Sequence, residues 1–398
     1  MKKIKLIYLR SKISSDNREL QIQKELYEKE LKKHFEISDE GETFFFIESG
    51  GTEEEFKQIF KSYSEPYNLI ATDANNSLPA SLEIASFLSN LGKRYNLYHG
   101  RVEDIYDVLS KKNDNLNVKN EVLKTDEKIL SGKRFGIVGK PSDWLISSDV
   151  DAGKAEDVFG ASLIEISFAE FKDEIDNAKE IIDPVVFKNK LNAKVNEETL
   201  KVALKIYSAL YSLIKKHDLA GLTVRCFDLL GVYHNTSCLA LALLNAQGYI
   251  ATCEGDVPAM LTMAVVREKF HDSSFQVNPS YVDLENRTAY FAHCTLPLDM
   301  CLDYVFDTHF ESGLGIGIKG RLNLGKVTVF KIGSTLEKFE VFSGQIVENL
   351  HKDNLCRTQI KVRFDEDISS LVSAPCGNHL IIFRGDHKSE LLSILSKH

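Results

Sequence analysis

The chain has 398 residues, of which 43% are apolar, 10% aromatic and 27% charged, enough for packed interiors and too much for one ordinary core. Its net charge of −9 is spread thinly, and no stretch gathers the Lys and Arg that a phosphate backbone needs, so nucleic acid is not an expected partner. The seven cysteines are an odd number with no C-x-x-C pair and sit mostly in apolar runs, which reads as free thiols in a reducing, cytoplasmic compartment.

The apolar run Ile4 to Leu9 is cut off by Arg10 and Lys12 before it reaches the ~7 to 15 residues of a signal-peptide core, and it reads as a first β-strand. Residues 43 to 48 (TFFFIE) and 68 to 71 (NLIA) are two more buried strands, with helical periodicity between them, the βαβ signal of a parallel sheet. Gly50-Gly51-Thr52 followed by Glu53, Glu54 and Glu55 reads as a turn into a helix, with Thr52 as its cap. The polar segment 110 to 132 is the best domain boundary, after which Arg134 to Val138 and the Gly139 to Trp144 turn restart the α/β pattern.

Leu200, Leu204, Tyr207, Tyr211 and Ile214 form the apolar face of a helix over 197 to 217. A strand (Leu222 to Phe227), a helix (Thr236 to Gln247) and a strand (Tyr249 to Cys253) then complete a crossover unit. The longest apolar stretch, Cys238 to Cys253, is broken by Asn245, Gln247 and Gly248, short of the ~20 residues of a membrane helix. Beyond Ala289 the texture becomes alternating and glycine-turned, which predicts a mostly antiparallel β region. Gly315, Gly317 and Gly320 match G-x-G-x-x-G, but a strand pattern follows where the dinucleotide fingerprint needs a helix, so a β-hairpin is expected. The expected domains are residues 1–120, residues 130–290 and a β-rich 291–398.

The segment 249 to 258 (YIATCEGDVP) carries the strongest chemical signal. An apolar strand ends on Glu254, Gly255 permits a tight turn and Pro258 sits where a helix begins, so a carboxylate is delivered to the carboxyl edge of a sheet, where open α/β sheets bind ligands. The alternative is that Glu254 and Asp256 only cap the following helix. Phe275 to Val277 delivers Asn278, and Thr288 to Ala292 delivers His293, as a ligand or as a core histidine. Proline and glycine at 375 and 377 fix a bend that aims Asn378 and His379 ahead of the strand Leu380 to Phe383. Glu254, Asn278 and His379 together make a mixed oxygen and nitrogen set suited to Mn²⁺ or another divalent cation.

These residues resemble the L-fucose isomerase superfamily, which includes L-arabinose isomerase. The likeness runs in order through GGTEEEF (50 to 56), NSLPASLEIASFL (76 to 88), GIVGKPSDWLISS (136 to 148), VRCFDLL (224 to 230), SCLALALLNAQGYIATCEGDVPAMLTM (237 to 263), AHCTLP (292 to 297) and GNHLIIFRGD (377 to 386). It implies two Rossmann-like α/β domains followed by a β-rich C-terminal domain. It also implies Mn²⁺ and aldose–ketose isomerisation through an ene-diol, in trimers or hexamers where a neighbour's N-terminal domain closes the site. Glu254 then matches the metal-binding acid/base glutamate, His379 the C-terminal histidine ligand, and Asn378, Trp144 and Arg10 are substrate-side candidates, with the Gly50 turn as an alternative to Arg10. Where the family has an aspartate, this chain has Asn278, whose amide coordinates but does not titrate. Asp283 is a candidate replacement. That departure keeps two other readings open: a non-catalytic sugar-binding or regulatory protein, and a related ene-diolate enzyme such as an epimerase or lyase.

Overall fold

The computed structural model describes residues 1–11, 18–110, 120–179 and 181–396, and part of the polar boundary segment, 111–119, lies outside them. The first unit is a parallel sheet of β1 (Lys2–Leu9), β2 (Phe35–Ile37), β3 (Glu42–Ile47), β4 (Tyr67–Ala71) and β5 (Tyr95–His99), ordered β2-β1-β3-β4-β5. The Phe-rich β3 and the fully buried β4 are covered on both faces, as continuous apolar strands of a parallel sheet must be. Leu9, Ile47, Ala71 and His99 stand level in the register, so Ser11, Gly50 and Asn76 emerge at one edge. Helix Ser77–Asn90 is buried on nearly every side, Glu83 included, because it packs on this sheet and on the β region as well.

After the two-residue β6 (Glu121–Val122), a second parallel sheet forms from β7 (Arg134–Val138), β8 (Ser162–Ile166), β9 (Gly221–Val224) and β10 (Ile250–Cys253), ordered β10-β9-β7-β8. The amphipathic helix Glu197–His217 lies where its periodicity placed it, with Leu200, Leu204, Tyr207 and Ile214 buried. Asn196 caps its start through Thr199 N at 2.8 Å.

The antiparallel region begins at Ser274, earlier than the texture change beyond Ala289 suggested. It comprises β11 (Ser274–Asp283), β12 (Thr288–His293), β13 (Asp303–Asp307), β14 (Gly317–Arg321), β15 (Gly325–Ile332), β16 (Lys338–Asn349), β17 (Thr358–Phe364) and β18 (Leu380–Arg384). Pairing runs β15-β18-β11-β12-β17-β16, and β16 returns to β15, so six strands close on themselves while β6 extends β16. Closure removes exposed strand edges. The G-x-G-x-x-G segment leads into strand rather than helix, and the expected hairpin is formed with the preceding strand: β14 pairs antiparallel with β13, while β15 pairs with β16 and β18. Neither β11 nor β12 neighbours β10, because alternation identifies a strand without saying which sheet receives it. Nor does β11 end at Val277. It runs on to Asp283, with Pro279 at a register shift that tolerates its missing N–H. Among the described residues, no helix is long and apolar enough to cross a membrane.

Candidate functional site

Strand β10 ends and the backbone turns sharply: Glu254 has φ +66° and Gly255 φ +75°. A left-handed conformation is uncommon for a non-glycine residue and marks a position held by its surroundings. Ser142 N donates to Glu254 O at 2.8 Å and Gly255 N to Val224 O at 3.0 Å. A Cβ at Gly255 would meet Lys140 O at 2.6 Å, so glycine is required there. Asp256 caps helix Val257–Phe270, accepting from Ala259 N at 2.6 Å. Capping therefore accounts for Asp256 and leaves the Glu254 side chain free to face the opposite way.

A second observation joins this turn to the barrel. Cys253 N donates to the buried Gln276 Oε1 at 2.8 Å, tying β10 to β11 two residues before Asn278. In the β11–β18 pair Val277 faces Leu380, so one step further the register sets Asn278 opposite His379. The His379 ring is fully buried, with Nδ1 2.8 Å from Asp256 Oδ2 and Nε2 3.6 Å from Glu254 Oε1, the latter an ion-pair distance rather than a hydrogen bond. Lys331, also fully buried on β15, sits 3.4 Å from both oxygens of Asp256.

Electrostatics follow from this packing. Burial opposes a charged His379, but the carboxylates of Glu254 and Asp256 outweigh it and raise its pKa to about 9. Burial likewise opposes the Glu254 carboxylate, yet the His379 charge and the Trp144 hydrogen bond hold its pKa below the usual value. Asp256 is brought down to about 2 against its burial, chiefly by Lys331. The Trp144 indole donates to Glu254 Oε2 at 2.7 Å and packs edge-on against Phe227 at 4.8 Å between ring centroids.

Glu254, Asn278, Asn378 and Trp144 all line one cleft open to solvent. The opposite wall comes from the first sheet of the same chain: Ser11, Gly50, Gly51 and Asn76. Arg10 does not line the cleft. Its guanidinium is engaged by Glu48, with Nε 2.8 Å from Oε2. Asp283 lies elsewhere too, in a turn where its carboxylate accepts from Asn286 N at 2.9 Å and Asn286 Nδ2 at 2.8 Å. Sequence reasoning missed Glu53, which lines the cleft, is 2% exposed and has an Oε2 without a hydrogen-bond partner. As the first of three acids after a turn it looked like an exposed helix-end charge, and nothing in the sequence signalled its burial.

The donor set fits a divalent cation. Asn278 Oδ1 and His379 Nε2 are both buried without a hydrogen-bond partner, at a cost of about 1 to 3 kcal/mol each when nothing satisfies them, and His379 Nε2 faces the Glu254 carboxylate. Asp256 holds the far nitrogen of His379 in the way that carboxylates orient metal-bound imidazoles. Cys253 Sγ, a Glu254 oxygen and a His293 nitrogen also lie within 4.8 Å of one another. Cys253 is the weak member of that group: contact with Cys226 at 3.0 Å, together with burial, drives its pKa well up and keeps it a thiol. His293 is kept neutral, its pKa lowered to about 3 by burial and the neighbouring His379, and its Nδ1 is occupied by Thr295 at 2.8 Å.

No family model matches the chain. It is similar to a sulfoquinovose isomerase of Alkalicoccus urumqiensis, 23% identical over 258 residues that cover 60% of this chain and 56% of that protein. Sulfoquinovose isomerases of Priestia aryabhattai and Priestia megaterium are each 20% identical over 281 residues, covering 67% of this chain and 63% of theirs. The chain thus spans 56% to 63% of the length of these relatives, all of which are named as isomerases of a sugar.

Proposed function

We propose that this protein is a divalent-metal-dependent aldose–ketose isomerase working through an ene-diol. The observation that carries this reading is the meeting of Glu254 and Asn278, from two different sheets, on one polar cleft, with His379 buried directly behind Glu254. The relatives named as sugar isomerases support it. A bound Mn²⁺ or similar ion would supply Lewis-acid polarisation of the sugar carbonyl, with Glu254, Asn278 and His379 as its holders. Glu254 takes the proton from one carbon and returns it to its neighbour, and Trp144 fixes the carboxylate for that transfer. Asp256 and Lys331 hold His379 in place. Asn378 and Asn76 offer amides to sugar hydroxyls across the cleft.

Because the Gly50 turn of the same chain lines the cleft, that wall is present within one subunit; a trimer or hexamer would add a neighbour's surface at the mouth. Among the described lining residues there are three glutamates, Glu53, Glu254 and Glu311, and no Lys or Arg. Such a lining suits sugar hydroxyls and offers no cation to pair with an anionic substituent.

Asn278 alone favours a second reading, a sugar-binding protein without turnover, since an amide carries no proton. Product analysis of a panel of aldoses and ketoses with added Mn²⁺ separates the two. The expected result is turnover of at least one uncharged sugar, at a higher kcat/KM than its sulfonated or phosphorylated counterpart. No turnover in the wild type, with turnover gained by Asn278→Asp, would establish the binder instead.

A further inference from the structure

Converting an aldose to a ketose moves two hydrogens: one from C2 to C1, and one from the oxygen on C2 to the oxygen on C1. Glu254 serves the carbon pair, which leaves the oxygen pair without a carrier, because Asn278 has no titrating group and Asp283 lies in a different part of the molecule. His379 is enclosed behind Glu254 and committed to Asp256. Among the described residues lining the cleft, the remaining titratable side chains are Glu53 and Glu311. Glu311 is exposed at the mouth and accepts from Asn76 Nδ2 at 2.5 Å. Glu53 is buried on the inner wall with Oε2 unpartnered.

We propose that Glu53 is the second proton carrier of the isomerisation, passing the hydroxyl hydrogen between the two sugar oxygens while Glu254 moves the carbon-bound one. This role rests on the isomerase reading. The backbone delivers Glu53 to the cleft by a turn that only glycine allows: a Cβ at Gly50 would meet Asn76 Cβ at 2.9 Å, and Gly51 has φ +77°. Thr52 holds the N-cap position, but its hydroxyl donates to Ser49 O at 3.1 Å within the turn instead of capping the helix. Burial, reinforced by the charges of Glu83 and Glu254, pushes the Glu53 carboxyl well above the usual range, so it stands as an acid with a proton to give.

The cycle balances. In the aldose-to-ketose direction Glu254 takes the C2 hydrogen as a proton, the C2–H electron pair becomes the ene-diol double bond, and Glu53 gives its proton to the carbonyl oxygen on C1. Glu254 then returns its proton to C1, while the Glu53 carboxylate takes the hydroxyl proton from the oxygen on C2 as that carbonyl forms. Both carboxyls finish as they began, and no other reactant is consumed.

The test compares Glu53→Gln and Glu53→Ala with wild type on a sugar that the wild type converts. Glu53→Gln is expected to lower kcat by about 10²-fold, with Mn²⁺ affinity unchanged by calorimetry. Glu53→Ala is expected to lose turnover and regain part of it with added formate, which a purely structural role would not allow. Wild-type kcat in Glu53→Gln, or Glu53→Ala without formate rescue, would overturn this role and leave the isomerase reading standing. A wild type without turnover on any sugar would overturn both.

Discussion

Glu254→Gln should reduce turnover by about 10²-fold or more, the contribution expected of a positioned general base. The amide has the size of the carboxylate and can still accept from the Trp144 indole, which now lies 2.7 Å from Oε2, so the turn at Glu254 and Gly255 should persist. What is lost is the group proposed to take the carbon-bound proton. The anion facing His379 Nε2 at 3.6 Å is lost with it. Product analysis on the best substrate, with circular dichroism to verify folding, measures the effect. Turnover within a few-fold of wild type would remove Glu254 from the mechanism.

The second large effect concerns stability. Lys331 and Asp256 are both 0% exposed, and Lys331 Nζ lies 3.4 Å from each carboxylate oxygen, with His379 Nδ1 2.8 Å away on the other side of Asp256. Breaking a buried pair by removing one partner costs about 3 to 5 kcal/mol, because the other charge is left uncompensated. Lys331→Ala is therefore expected to lower the urea midpoint strongly. The double variant Lys331→Met/Asp256→Asn should be less destabilised than the single one, since Asn can still cap the helix that starts at Val257. A loss below about 1 kcal/mol in Lys331→Ala would mean that Asp256 is solvated or protonated.

Much of the architecture is legible in local patterns. β1, β3, β4 and helix Glu197–His217 fall where period and composition put them, because each buries a continuous run or a single stripe. β5 was not identified: in Tyr-Asn-Leu-Tyr-His the apolar positions are interleaved with polar ones, and it becomes the edge strand of its sheet only by pairing with β4. The Glu254 turn was legible because strand, glycine and proline stand within ten residues. His379 was legible just ahead of its strand, whereas Asn278, expected at a strand end, lies within β11, and their meeting depends on the β11–β18 register across a hundred residues of sequence. Glu53 and Lys331 were not legible. A glutamate after a turn and a lysine in an alternating strand both look solvated, and only the tertiary fold buries them.

The central claim is that Glu254, Asn278 and His379 form one metal-binding centre, and calorimetric titration of the metal-stripped protein with Mn²⁺ tests it most directly. About one ion per chain is expected, with protons released on binding because His379 starts as an imidazolium. Glu254→Ala/His379→Ala should lose that binding while retaining its fold. Absence of binding in the wild type, or unchanged binding in the double variant, would contradict the account.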